Sequence, residues 1–184
     1  KTTWFNFLLP PELRCYFYTK TNSDRLNKDD LFSLTEFALI CFEELDGMRP
    51  AELNQLKAMV TMPYDNERAA YGRNKERHPH IASFCGTGNN VQFLTDPTGN
   101  RRWLPFEVSQ IRDPHLHAIP YELVYSQAYA LWKSGFCHWF SQEEIRKLNM
   151  HNSRFEVPNL EEDLIRTHFR KPFEGEAGIF VTAA

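Results

Sequence analysis

Phe37-Ala-Leu-Ile-Cys-Phe-Glu43-Glu44 is an apolar run that ends abruptly in two adjacent carboxylates. An uninterrupted apolar run marks a buried strand, and charges at its C-terminal edge lie where a parallel sheet meets its ligand crevice. The pattern predicts a strand over 37–42 in an α/β fold. Upstream, Lys1-Thr2-Thr3 has the form of the tail of a phosphate-binding G-x-x-x-x-G-K-[ST] loop, whose glycines would lie before residue 1. In this order the two pieces point to a nucleotide triphosphatase core whose first motif is cut through.

Working outward, Thr2 to Leu9 is predicted to form the first turns of a helix, stopped by Pro10-Pro11. Cys15 to Thr19 reads as a short aromatic strand and Lys28 to Leu34 as a helical turn or two. Pro50 near a helix start, with Leu53, Leu56, Met59 and Val60 at three- and four-residue spacing, predicts a helix with one buried face. Tyr64 to Lys75 reads as a polar, basic loop or hairpin, and His80 to Cys85 as the next strand. Asp96-Pro97-Thr98-Gly99-Asn100 is a turn signal. Trp103 to Val108 is expected to be a strand. A helix over 121–133 would carry Leu123, Val124, Ala128, Leu131 and Trp132 on its apolar side. Ser141 with Glu144 forms a capping box for a further helix, and Pro158 to Ile165 reads as one more helix start. Gly178 to Thr182 looks like a strand, and both ends read as truncated. The break near 137–141 suggests a core over 1–140 and a mainly helical extension over 141–184.

The 184 residues are enough for one well-packed domain, and 42% apolar with 24% charged residues fits a soluble globular protein. A formal net charge of −3 does not advertise a nucleic-acid binder, although an average hides a local basic strip. Cysteines at 15, 41, 85 and 137 form no C-x-x-C pair, which predicts reduced, mostly buried thiols in a cytoplasmic protein. No apolar stretch approaches membrane-spanning length, so no membrane association is expected. His78 with His80, and His115 with His117, lack a third ligand at zinc spacing.

Paired carboxylates at a strand end have a specific use in nucleotide hydrolysis. Glu43 would be the metal-side residue, since hard oxygen donors suit magnesium. Glu44 would orient the water that attacks the terminal phosphorus. Adjacent strand residues point to opposite sides, so aiming both at one ligand needs a bend. Lys1 would place its ammonium against the β- and γ-phosphates, and Thr2 would offer its hydroxyl to the metal. Asn89 follows a strand and a Gly-Thr-Gly turn, where its amide can bridge the water or γ-phosphate; the plain alternative is a surface turn. Arg101 and Arg102 can reach a phosphate in a neighbouring subunit, or form surface salt bridges worth little. Arg68, Arg73, Lys75 and Arg77 crowd one segment with Tyr64 and Tyr71. That combination suits a nucleic-acid backbone and its bases, and equally a solvated basic loop.

Phe42-Glu-Glu-Leu-Asp46, the segment from Met62 to Tyr71-Gly-Arg73, Phe84-Cys-Gly-Thr-Gly-Asn89, and Phe93-Leu-Thr-Asp-Pro-Thr-Gly-Asn-Arg-Arg102 together resemble the virulence-associated protein E family. That family is similar to the P-loop ATPase domain of superfamily 3 helicases and of primase-helicases from phages, plasmids and integrated elements. The likeness runs from Lys1 to about Val108 and more loosely through 121–133. It implies a three-layer, AAA+-like P-loop NTPase fold with a mainly helical C-terminal extension, using ATP and Mg2+. By position, Lys1 and Thr2 would end Walker A and Glu43-Glu44 would form Walker B. Asn89 would be the sensor, and Arg101 or Arg102 the trans-acting arginine finger. Arg73, Lys75 and Arg77 would face DNA, single-stranded or at a fork. A trans-acting arginine implies a homo-oligomeric ring, such as a hexamer.

Two departures stand out. Family members commonly carry Asp then Glu at Walker B, whereas Glu43 comes first here with a longer reach. The Walker A glycines are absent from the sequence, and without them a phosphate has no cradle. The expected activity is ATP hydrolysis coupled to DNA unwinding or remodelling in mobile-element replication or mobilisation. The rivals are a nucleotide-binding regulatory module that unwinds nothing, and a degenerate structural DNA-interaction domain.

Overall fold

A computed structural model of the chain describes residues 1–21, 27–65, 77–95, 100–173 and 175–178. Its centre is β2 (Leu39–Phe42), whose four residues are all buried. Neighbours on both sides explain the apolar run: β1 (Phe17–Lys20) and β5 (Ser83–Gly86) each pair with it in parallel, in the order β1-β2-β5. In register, Tyr18, Ile40 and Phe84 share one row, and Thr19, Cys41 and Cys85 the next, facing the opposite side.

The Ile40 side is the main core. It is covered by α2 (Lys28–Glu36) and α3 (Pro50–Val60), which contribute Leu34, Leu56 and Met59 to a cluster with Ile40, Phe42 and Leu45. Parallel strands need such crossovers, and these helices supply their covering layer. The helix over 50–60 forms as its spacing predicts, with Leu53, Leu56 and Met59 buried. The other side of the sheet meets α1 (Thr2–Asn6). The result is a mixed α/β fold: a small parallel sheet, with a helical C-terminal region of α4 (Tyr121–Lys133), α5 (Gln142–Asn152) and α6 (Leu160–His168).

Several boundaries shift for identifiable reasons. The first helix ends at Asn6 rather than Leu9, and a 3₁₀ turn over Pro11–Tyr16 absorbs the start of the expected strand. Phe37 closes α2, its N–H donating to Ser33 O, so the central strand begins at Leu39. The Ile81 and Ala82 N–H groups both reach Leu34 O, at 3.0 and 3.1 Å. That engagement with α2 delays β5 until Ser83.

The strand expected over 103–108 does not form. Asn100–Arg102 is a 3₁₀ turn, and the carbonyls that a strand would offer a neighbour are taken by side chains. Asn152 Nδ2 donates to Trp103 O (3.0 Å) and His151 Nε2 to Pro105 O (2.9 Å). Pro105 also lacks an N–H.

α4 spans its expected residues and ends where Gly135, at φ 76°, lets Phe136 N–H reach back to Leu131 O. Its apolar side is open: Leu123 and Trp132 are each 72% exposed. The helix is instead tied to the end of α1 by hydroxyls, Tyr121 to Phe7 O and Tyr125 to Leu8 O. Ser141 and Glu144 form the expected capping box on α5.

β3 (Tyr64–Asp65) pairs antiparallel with β4 (His78–Pro79), while residues 66–76 lie outside the described residues. So do 96–99 of the expected turn and 179–182 of the expected last strand. The four cysteines are free thiols, but Cys15 and Cys137 are exposed, against the expectation of mostly buried ones. Among the described residues no helix is long and apolar enough to cross a membrane.

Candidate nucleotide site

The C-terminal ends of β2 and β5 face the first residues of α1. Thr2 Oγ1 donates to Glu43 Oε1 at 2.7 Å. Lys1 Nζ donates to Gly88 O at 2.5 Å and lies 3.4 Å from Asn89 Oδ1. Five residues from three distant parts of the sequence thus meet at one sheet edge. Beside them a cleft of about 410 Å³ is lined by Thr2, Thr3, Asn6, Phe17, Thr19 and Glu43.

The backbone bends at Glu44, immediately after Glu43. Glu44 sits at φ 54°, ψ 47°, the only non-glycine residue with positive φ among those described. The left-handed region costs an L-residue about 1–2 kcal/mol, and such strain is concentrated at functional sites. The Glu44 side chain is exposed, and a 3₁₀ turn over Leu45–Gly47 follows it.

The loop after β5 is held against this turn. Leu45 N–H donates to Thr87 O at 2.9 Å. Gly86 permits the approach, because a Cβ there would collide with the Leu45 side chain and lie 3.2 Å from Phe42 O. Asp46 accepts from two consecutive amides, Asn89 N–H at 3.2 Å and Asn90 N–H at 2.9 Å. Nothing in the local sequence around Asp46 points across to residues 89–90.

Residues 1–157 match the virulence-associated protein E-like domain. The chain belongs to that family. No curated protein matches it by sequence. The matched span of this virulence-associated protein E-like domain takes in the whole sheet edge, α4 and α5, and stops before α6.

Beneath the site, Cys41 and Cys85 are in-register partners on adjacent strands. A hydrogen bond from Cys85 holds the Cys41 thiol below its usual range despite burial. That same bond to Cys41, together with burial, pushes the Cys85 thiol up and keeps it protonated.

Thr2 and Glu43 bring a hydroxyl and a carboxylate together, the hard oxygen donors that Mg2+ accepts while keeping several waters. While donating its proton to Glu43, the Thr2 oxygen still has a lone pair to offer a cation. Among the described residues there is no group of three or more His, Cys, Asp or Glu that could hold a metal.

Arg101 and Arg102 are exposed on the 100–102 turn and make no hydrogen bond to Lys1, Thr2, Glu43 or Asn89. The turn itself is anchored from behind. Asn100 is buried, its Nδ2 donating to Glu156 Oε1 at 2.6 Å, and Asn152 Nδ2 donates to Asn100 O at 2.8 Å. Of the basic segment, Arg77 is exposed with its guanidinium 3.6 Å over the Tyr64 ring. Arg73 and Lys75 lie outside the described residues.

Proposed function

We propose that this domain is a Mg2+-dependent ATPase that drives unwinding or remodelling of DNA in the replication or mobilisation of a mobile element. The observation behind this reading is the meeting of Lys1 and Thr2 with Glu43 and Asn89 at the sheet edge. On this view the fold is the core of a P-loop NTPase of the superfamily 3 helicase type.

Lys1 would exchange its bonds to Gly88 O and Asn89 Oδ1 for phosphate oxygens, where a cation gains a charge-assisted bond. Thr2 and Glu43 would hold Mg2+, which when bound neutralises charge on the β- and γ-phosphates. Glu44 orients the attacking water, and Asn89 holds the γ-phosphate or that water. Arg101 or Arg102 then serves the site of a neighbouring subunit, which requires a ring. Arg73, Lys75 and Arg77 contact DNA, with Arg77 and Tyr64 already paired as a cationic, aromatic surface.

Calorimetric titration of the full-length protein with Mg2+ and a non-hydrolysable ATP analogue tests this. Binding is expected, and Lys1→Ala is expected to weaken it by about tenfold or more. Absence of binding by the wild type would favour a degenerate structural domain. Binding and assembly without any strand displacement would favour the regulatory module.

A further inference from the structure

We propose that Asp46 is a positioning residue that fixes Asn89 relative to Glu44, an inference that rests on the ATPase reading above. Its carboxylate is shared between two consecutive amides of the other loop, Asn89 N–H on Oδ1 and Asn90 N–H on Oδ2. Bonds to an ionised acceptor are roughly twice as strong as neutral ones, and two of them fix orientation as well as distance. Asp46 lies two residues after Glu44, on the 3₁₀ turn that the left-handed Glu44 backbone starts.

Two further hydrogen bonds and a glycine make this a built joint. Leu45 N–H bonds Thr87 O, so the two loops are tied on both sides of Gly88. A Cβ on Gly88 would lie 3.0 Å from Asp46 Oδ1, closer than almost any side chain tolerates, so the glycine leaves the carboxylate its place. Asn90 Oδ1 accepts from Gln92 N–H at 3.1 Å and rigidifies the far side of the loop.

Asp46 therefore joins the residue that orients the water to the residue that senses the phosphate. It need not touch nucleotide itself. Where catalysis is placement, a displacement of about 1 Å costs on the order of 100-fold in rate.

The test is steady-state ATP hydrolysis by the full-length protein carrying Asp46→Ala or Asp46→Asn, with Glu44→Gln as the reference for lost chemistry. Asp46→Ala is expected to lower kcat by about 30- to 100-fold while KM for ATP moves less than about threefold, because the bonds of Asp46 reach the 89–90 amides and not Lys1, Thr2 or Glu43. Asp46→Asn keeps one acceptor and should fall between. Amide exchange adds a readout independent of turnover: Asn89 and Asn90 should lose protection in Asp46→Ala while Phe84 and Cys85 keep theirs. If kcat stays within about twofold of wild type, the inference fails and the ATPase reading stands. Loss of protection throughout β5 would overturn it in favour of a general structural role. A wild type that does not hydrolyse ATP defeats the underlying reading, and this one with it.

Discussion

Thr2 on the first helical turn and Glu43 at the end of the central strand are joined by a 2.7 Å hydrogen bond across 41 residues of sequence. The bond brings a hydroxyl and a carboxylate to one point, and if the domain is the proposed Mg2+-dependent ATPase its metal dependence should follow from this pair. Thr2→Val and Glu43→Gln are each expected to raise the Mg2+ concentration needed for half-maximal hydrolysis by about tenfold or more, in line with the loss of a ligand or its support. A magnesium titration of the initial rate measures this. An unchanged midpoint in both variants would remove the pair from the metal site.

Stability should depend on a buried ion pair between β1 and α2. Lys20, the last residue of β1, meets Asp30 of α2 at 2.7 Å with both side chains 5% exposed. Asp30 also bonds the Asn27 N–H, and Asn27 returns a bond to the Asp30 N–H, so the pair caps α2 as well. Removing Asp30 takes the carboxylate away from a buried ammonium, and Asp30→Ala is expected to cost about 3–5 kcal/mol in denaturant unfolding. Replacing both residues by apolar ones of similar volume should restore much of the loss.

The Arg101–Arg102 turn should loosen when its anchor is cut. Asn152 is fully buried and donates to Asn100 O and Trp103 O at 2.8 and 3.0 Å. Asn152→Ala leaves both carbonyls short of a donor, with an expected loss of about 1–3 kcal/mol. It should also raise amide exchange at residues 101–103 before it affects β2. Protection that falls equally everywhere would assign Asn152 to the core alone.

Acid should fray α5 from its start. Hydrogen bonds from the Ser141 hydroxyl and backbone N–H hold the Glu144 carboxyl below its ordinary value. A folded value lower than the unfolded one stabilises the helix above the unfolded pKa of about 4.3, and that contribution disappears as pH falls through the folded value. NMR titration should show the Glu144 amide losing its capped shift at a pH below the ordinary glutamate range. Glu144→Gln should abolish that titration.

Residue type and spacing made β2, α3, α4 and the Ser141 cap legible, because each rests on local periodicity or capping. The 103–108 segment has strand-like apolar alternation, yet Asn152 and His151, some fifty residues away, take its carbonyls. That competition is invisible locally. The buried Lys20 is similar, since only the fold brings it to Asp30. At the site, motif order grouped Lys1, Thr2, Glu43 and Asn89 as candidates, but their mutual distances were not readable from it. Asp46 escaped notice because its partners are backbone amides, which no sequence displays.

The central claim is that Glu44 activates water for attack on a nucleotide held by Lys1 and Thr2. Comparing ATP turnover by full-length wild type and Glu44→Gln, with nucleotide binding measured in parallel, tests it most directly. Binding should persist while turnover falls by about 100-fold or more. A Glu44→Gln protein that hydrolyses ATP at the wild-type rate would contradict the account.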